Sequence, residues 1–149
     1  MNTIHNGLAA LSTINKFIPG MQFRTIGELM KDVNSDGQFF IDRTVELSAR
    51  IANMPISYQQ DGKGVEAIAY LRYFYGEYTC YITEKDKEDD GTYQAFGVAR
   101  MPQSEFELGY ICIDEFLSLP VELDLHFTPK ALKDIPELAS YIRHMTTGD

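Results

Sequence analysis

Three polar residues between Val121 and Phe127 have types and a spacing that chemistry could use. Glu122, Asp124 and His126 are separated from one another by single apolar residues. Alternate side chains of a β-strand point to the same side, so this spacing predicts two carboxylates and an imidazole on one face. Such a face could bind a divalent metal, or a carboxylate could orient the histidine as a general base.

Two glutamates elsewhere in the chain could complete this group. Glu84 ends one predicted strand and Glu107 begins another, so a Glu/Asp/His cluster at one edge of a sheet is a hypothesis. The catalytic candidates are Glu84, Asp124 and His126, and no residue is assigned to a metal. The alternative is that these side chains form the solvated side of a strand whose other side belongs to the core.

No further catalytic motif supports an enzyme. The segment Gly62-Lys63-Gly64 is too short for a phosphate-binding loop and lacks the required hydroxyl. No nucleophile accompanies the acidic residues. The sequence therefore favours a non-enzymatic protein without a cofactor, and a small metal-dependent enzyme is the alternative.

The net charge of −9 is distributed unevenly along the chain. Residues 1–60 carry five basic and five acidic side chains, whereas the segment between Arg100 and Lys130 has six acids and no Lys or Arg. Such a surface repels nucleic acid and attracts basic partners. The predicted binding residues are Glu105, Glu107, Asp114, Glu115 and Glu122. The alternative is a solvated acidic face that only keeps the protein in solution.

Length and composition indicate one domain that folds in water. The chain has 149 residues and is 44% hydrophobic, which is too apolar for a disordered chain. No run approaches the roughly 20 apolar residues that cross a bilayer, and the N-terminal segment lacks the basic start of a secretory signal. Cys80 and Cys112 each lie in a strand-like run, which is typical of buried thiols in a reducing compartment. We expect a cytoplasmic protein.

Helices and one strand are predicted before residue 53. Apolar residues at intervals of three predict a helix over 6–17 that ends at Pro19-Gly20. Thr25 and Glu28 have the spacing of a capping box, which predicts a second helix that ends in a turn over 34–37. Alternating apolar and polar residues predict a half-buried strand over 38–52 with a bulge near Arg43.

Short hairpins dominate the remainder of the chain. Met54, Ile56 and Tyr58 should anchor an ordered loop over 53–64. Predicted strands cover 65–74, 78–83, 93–101, 108–113 and 121–127, with turns at 75–77, 85–91 and 102–104, a helical turn from Asp114, and a helix over 129–145 that Pro136 could interrupt. The prediction is an α+β fold in which N-terminal helices and one C-terminal helix flank a mostly antiparallel sheet of about five or six strands. Short connections favour a meander.

Aromatic side chains are concentrated in the first hairpin of the predicted sheet. Sheet aromatics can stack on the bases of single-stranded nucleic acid, but that chemistry needs a positively charged groove. This half of the protein is acidic, so core packing and cross-strand pairs are the favoured interpretation. The residues concerned are Tyr70, Tyr73, Phe74, Tyr75, Tyr78 and Tyr81.

Five motifs follow one another between Val65 and Leu132. They are the strand AYLRYFY, the run Tyr81-Ile82-Thr83-Glu84 with its acidic turn, Phe96-Gly97, Glu107-Leu108-Gly109-Tyr110, and Glu122 to Phe127 followed by Pro129. Their order resembles domain of unknown function family 2958, small proteins of bacteria, plasmids and phages. That family commonly has Trp where this chain has Cys80 and Arg where it has Leu123. The missing Arg removes a potential partner of Glu122 or Asp124.

The resemblance implies a setting but no activity. Proteins of mobile elements act in host takeover, replication or anti-defence. Together with the charge, this predicts an accessory protein whose acidic, β-rich face binds a protein partner, either a basic protein or one that itself binds nucleic acid. We expect no direct contact with nucleic acid or membrane. A purely structural dimer module is a further alternative, for which a large exposed apolar patch would be the sign.

Overall fold

The structure, a computed structural model, describes residues 1–32, 36–88 and 90–147. It has the predicted α+β fold, with helices near both ends and an antiparallel sheet between them. Two compact units divide the chain, Met1–Asn53 and Met54–Asp149. The expectation of a single domain stays a prediction.

Within the described residues, the first unit contains three α-helices. They are α1 (Ile4–Thr13), α2 (Gly20–Leu29) and α3 (Gly37–Asn53), with a short 3-10 turn at Asn15–Phe17. The capping box lies at Thr3, whose side chain accepts from the Asn6 N–H while the Asn6 side chain accepts from the Thr3 N–H. The box predicted at Thr25 is wrong, because Thr25 lies inside α2. Residues 34 and 35 of the predicted turn over 34–37 lie outside the described residues.

Helix α3 replaces the strand predicted over 38–52, and the bulge near Arg43 disappears with it. The buried positions of this segment are Ile41, Thr44, Leu47 and Ile51, whose spacing of three or four residues is helical. The predicted alternation fails because a polar residue, Thr44, holds one of the buried positions. Side-chain pairs four residues apart also require a helix, and they include a hydrogen bond from Gln38 to Asp42 and an ion pair between Glu46 and Arg50.

The second unit contains a five-stranded antiparallel sheet within the described residues. Its strands are β2 (Leu71–Tyr75), β3 (Tyr78–Glu84), β4 (Ala95–Arg100), β5 (Glu107–Ile111) and β6 (Glu122–Leu123), in the order β5-β4-β3-β2-β6. A separate pair joins β1 (Ile68–Ala69) to β7 (Lys130–Ala131). The three predicted hairpins are confirmed, and Gly76 supplies the positive φ of 55° that the first turn needs.

Three predicted boundaries change in this unit. The strand expected over 65–74 is divided into a 3-10 turn at Gly64–Glu66, β1 and β2. The strand expected over 121–127 shrinks to the two residues of β6. The helix expected over 129–145 becomes β7, 3-10 turns at Leu132–Asp134 and Pro136–Leu138, and α5 (Ala139–Thr147), so Pro136 does start a new element. The short α4 (Ile113–Phe116) lies where a helical turn was predicted.

Apolar side chains cover both faces of the sheet. On one face, the Tyr73 ring lies 6.2 Å from the Phe116 ring of α4. On the other face, Tyr81 and Val98 pack with Phe127, Leu132 and residues near α5. Burial raises the pKa of the Cys80 thiol, while Cys112 is only half-buried, and both thiols are free. None of the helices in the described ranges is long and apolar enough to cross a membrane.

Candidate functional site

The structure gives the predicted catalytic residues separate environments. Asp124 Oδ2 lies 3.1 Å from Arg72 Nη1, and Asp124 Oδ1 accepts a hydrogen bond from the backbone N–H of His126. The Asp124 N–H still donates to the Arg72 carbonyl of β2, but the bond to His126 forms a turn there, so His126 does not share a strand face with Glu122 and Asp124 as predicted. Among residues 1–32, 36–88 and 90–147, no three His, Cys, Asp or Glu side chains are placed to hold a metal ion.

Asp124 belongs to a structural ion-pair network centred on Arg72. The Arg72 Nε atom donates to the Tyr81 hydroxyl at 3.2 Å, and Nη2 lies 3.6 Å from Glu137 Oε1. The guanidinium also lies 4.7 Å from the centre of the Phe74 ring. Arg72, on the neighbouring strand β2, therefore supplies the cation that pairs with Asp124.

The predicted acidic residues are all exposed, but they divide between the two edges of the sheet. Glu105 and Glu107 lie just before and at the start of β5, and Asp114 and Glu115 follow it in α4. Glu122 lies in β6, at the opposite edge. The prediction of one acidic face containing all five is therefore wrong for Glu122.

The other four acids therefore lie in or near an edge strand along the chain, and apolar side chains of that strand reach solvent. Leu108 and Tyr110 in β5 are 46% and 56% exposed. Among the described strands, β5 pairs only with β4. We refer to Glu105, Glu107, Leu108, Tyr110, Asp114 and Glu115 as the β5 surface.

Glu84 lies apart from the other candidates, at the end of β3, where a β-bulge sets its direction. Ile82 pairs with Gly97 and Glu84 pairs with Phe96, so β3 has one more residue than β4 between these pairs. A regular strand would place Glu84 on the same side as Ile82. The bulge moves the carboxyl to the face that carries Phe96, where it is 4% exposed.

A loop over residues 54–64 covers this carboxyl. The Tyr58 backbone N–H donates to Glu84 Oε1 at 2.5 Å. The Gln60 side chain donates to the carbonyl oxygens of Ile68 and Thr83, each at 2.8 Å, and accepts from the Ile68 N–H at 2.7 Å. The loop is ordered as predicted, but its anchors differ, because Met54 is buried whereas Tyr58 is 56% exposed.

Loop and sheet together enclose a cavity of about 240 Å³. We call it the Glu84 cavity. Its lining residues are Ser57, Tyr58, Gln60, Asp61, Gly62, Gly64, Ala67, Thr83, Glu84, Phe96, Leu108, Tyr110 and Leu132. The hydroxyl groups of Tyr58 and Tyr110 are 2.6 Å apart, which joins the loop to the edge strand.

The charged side chains that line the cavity are acidic. Burial raises the pKa of Glu84, the Tyr58 N–H opposes that effect, and the charge of Asp61 reinforces it. The hydrogen bond between the Tyr58 and Tyr110 hydroxyls raises the pKa of Tyr110, as do partial burial and the charges of Asp61 and Glu84. No Lys, Arg or His of the described chain is among the lining residues. A cationic ligand would therefore meet complementary charge there.

The sequence predicts Glu84 as a site residue, but together with Asp124 and His126, which do not line the cavity. It does not predict Tyr58, Asp61 or Tyr110 as site residues. The available signal was the turn sequence Asp61-Gly62-Lys63-Gly64, in which both glycines have positive φ. A turn of this kind can hold side chains over a neighbouring strand. The bulge that brings Glu84 to the same place has no local sequence pattern.

Comparisons of the chain with protein-family models, with curated proteins and with solved structures gave no match.

Proposed function

We propose that residues 54–149 bind a basic segment of a protein partner along the β5 surface. The observation that carries this proposal is the outer edge of β5, which pairs with no other described strand, exposes Leu108 and Tyr110, and has four acidic residues in it or near it along the chain. Backbone groups of an edge strand can pair with an extended segment of another chain. The acids would favour a segment that carries positive charge.

Charge also defines the kind of partner. The stretch from Met101 to Pro129 contains no Lys or Arg, so nothing within it offsets the acids of the β5 surface. A field of this sign speeds the approach of basic proteins and repels the phosphates of nucleic acid. A protein whose basic surface normally contacts nucleic acid is thus a suitable partner, whereas direct binding of nucleic acid is not part of the proposal.

The biological setting of the proposal comes from the resemblance to the family of unknown function. In that setting the chain is an accessory protein of a phage or plasmid and acts in the cytoplasm. Occupying the basic surface of a host protein would serve host takeover or anti-defence. The acidic β5 surface and the motif order between Val65 and Leu132 support this interpretation.

The alternative, a metal-dependent enzyme that uses Glu84, Asp124 and His126, has no observation in its favour among the described residues. Asp124 is paired with Arg72, and Glu84 lies in a cavity that His126 does not line. Metal analysis of the purified protein, with His126→Ala as the control, tests this alternative. Bound metal that is lost in the control would support the enzyme over the binding protein.

Synthetic peptides that alternate Lys with Val, and acidic counterparts that alternate Glu with Val, test the proposed function. Binding is measured by fluorescence anisotropy at low and high ionic strength. We expect binding of the basic peptide only, weakened by salt. Glu107→Lys should weaken it at least about tenfold, and the matched change Glu122→Lys at the other edge less than about twofold.

Two results would contradict the proposed function. One is basic-peptide binding that salt does not change. The other is an equal loss of affinity in the Glu107→Lys and Glu122→Lys variants, because net charge rather than the β5 surface would then determine binding. Circular dichroism of both variants verifies that the substitutions leave the fold intact.

A further inference from the structure

The Glu84 cavity holds two carboxyl groups, and no Lys, Arg or His of the described chain lines it, although Lys87 Nζ lies 5.7 Å from the centre of the Tyr58 ring. Glu84 is 4% exposed, and its hydrogen-bond donors in the loop are the neutral backbone N–H groups of Tyr58 and Gln60. Asp61 lines the same cavity and adds a second acidic group. Removing a carboxylate from water is costly unless positive charge or hydrogen bonds compensate. A positively charged ligand would therefore gain more here than at an exposed acid.

Aromatic rings make the cavity suited to an ammonium group in particular. Tyr58, Phe96 and Tyr110 line it, and the rings of Phe96 and Tyr110 meet edge to face with centroids 5.5 Å apart. Aromatic faces attract cations through their quadrupole, and carboxylates beside such rings complete the recognition of organic ammonium ions. A bare metal ion fits less well, because no three metal-binding side chains come together in the described chain.

The size and the apolar part of the wall indicate how large the ligand is. The volume of about 240 Å³ lies below the range of roughly 300–1,000 Å³ that is usual for pockets of drug-sized ligands. One long side chain is therefore a better match than a nucleotide or another cofactor. Ala67, Leu108 and Leu132 offer apolar surface to a methylene chain, and the carboxyls offer charge to its end.

We propose that the Glu84 cavity binds the ammonium group of a lysine side chain, supplied by the segment that pairs with β5. This inference rests on the proposed function and specifies it. Leu108 and Tyr110 connect the two sites, since both line the cavity and both belong to the edge strand. Residues two apart on a strand point to one side, so an added strand would direct every second side chain toward the same side.

Lysine rather than arginine is the occupant because of the shape of the charged group. An ammonium is a compact charge on a flexible stem of methylene groups, whereas a guanidinium is a wide planar fork. The cavity presents its two carboxyls together with two tyrosine hydroxyls that bond to each other. A compact three-donor cation can contact several of these oxygens at once.

The test uses Nα-acetyl-lysine methylamide, whose side-chain ammonium is free, as the probe and 1H–15N NMR of the full chain as the readout. We expect saturable shifts of the amides at Tyr58, Asp61 and Glu84. N-acetyl-norleucine methylamide, which has a similar stem without the charge, should give no such shifts, and the arginine analogue should bind more weakly. Equal binding of the norleucine or arginine analogue would overturn the inference.

Matched variants separate the cavity from general electrostatics. Glu84→Gln keeps an acceptor for the Tyr58 N–H but removes the charge, and it should weaken the lysine probe at least about tenfold. Asp114→Asn removes a charge from the β5 surface outside the cavity and should leave the affinity within about twofold. Unchanged affinity in Glu84→Gln, or the absence of saturable shifts in the wild type, would overturn the inference.

The two proposals fail in different ways. If basic peptides bind at β5 but the lysine probe leaves the amides of the cavity unshifted, the lysine inference is wrong and the proposed function stands. If the probe binds but no basic peptide does, the proposed function is wrong, and with it the source of the lysine.

Discussion

The backbone N–H of Tyr58 donates a hydrogen bond of 2.5 Å to the side chain of Glu84, which joins the loop over residues 54–64 to the end of β3. Tyr58 has a φ of 77°, a left-handed conformation that residues with a Cβ rarely adopt. The hydrogen bonds of the Glu84 and Gln60 side chains hold the loop in this conformation. Backbone strain, a buried carboxyl and a cavity thus coincide, as is common at functional sites.

Tyr58→Gly and Tyr58→Ala should differ in stability. Both variants lose the ring and the hydroxyl contact with Tyr110, but only glycine adopts a positive φ without steric cost. We expect the glycine variant to be more stable than the alanine variant by about 1 kcal/mol, measured by urea unfolding. An alanine variant of equal or higher stability would show that the loop does not require the left-handed conformation.

The stability of Glu84→Gln relative to the wild type should increase as pH rises. Burial raises the pKa of Glu84, so the folded state binds a proton more tightly than the unfolded state does. Wild-type stability therefore falls as pH rises from the ordinary carboxyl pKa of 4.5 to the raised value, and the glutamine variant escapes this loss. Asp61 and the hydroxyls of Tyr58 and Tyr110 also face the cavity.

This expectation is tested by measuring the free energy of unfolding of the wild type and of Glu84→Gln at a series of pH values from acidic to neutral. The stability difference should be small at the acidic end and reach a plateau near neutral pH. Glu107→Gln, in the same sheet but exposed, serves as the control and should show no comparable trend. A stability difference between the wild type and Glu84→Gln that does not vary with pH would contradict the conclusion that burial raises the pKa of Glu84.

Gly97→Ala should be destabilising, whereas Gly109→Ala should not. The two glycines are direct partners in the β4–β5 register. A Cβ at Gly97 would overlap the backbone carbonyl oxygen of Tyr81, but a Cβ at Gly109 would meet nothing within 4 Å. We expect a loss of about 2 kcal/mol or more at position 97 and a change within about 0.5 kcal/mol at position 109, by chemical unfolding. Equal effects would argue against the close approach of β3 and β4.

Asp124→Ala should destabilise the second unit more than His126→Ala does. Asp124 is partly buried and loses both its contact with Arg72 and its turn-forming bond to the His126 N–H. We expect a cost of about 1–2 kcal/mol for Asp124→Ala, and a smaller cost for His126→Ala, because His126 is exposed. A larger cost at His126 would indicate that its imidazole has a role beyond the surface.

The hairpins could be predicted from sequence because their signals are local. A glycine at the turn and strand-forming residues on both sides are sufficient, as at Gly76 between β2 and β3. Helix α3 was missed because Thr44 occupies a buried position, which hides the helical spacing of the apolar residues. The strand predicted over 121–127 ends early because the Asp124 side chain accepts from the His126 N–H and forms a turn, although the Asp124 N–H itself still donates to the Arg72 carbonyl of β2.

The site depends on long-range geometry that residue spacing does not encode. Glu84 and Asp124 are both acids of the second unit, yet one faces a cavity and the other pairs with Arg72. The difference arises from the bulge after Ile82 and from the position of Arg72 on the adjacent strand. Only the excess of acids between Arg100 and Lys130, which includes the β5 surface, could be predicted from composition.

The central claim is that a lysine of the bound segment occupies the Glu84 cavity. A double-mutant cycle tests it most directly, with Glu84→Gln in the protein and norleucine in place of each lysine of the basic peptide in turn. For one lysine position, we predict a coupling free energy of at least about 1.4 kcal/mol, equivalent to a tenfold effect. Additive losses of affinity at every lysine position would contradict the claim.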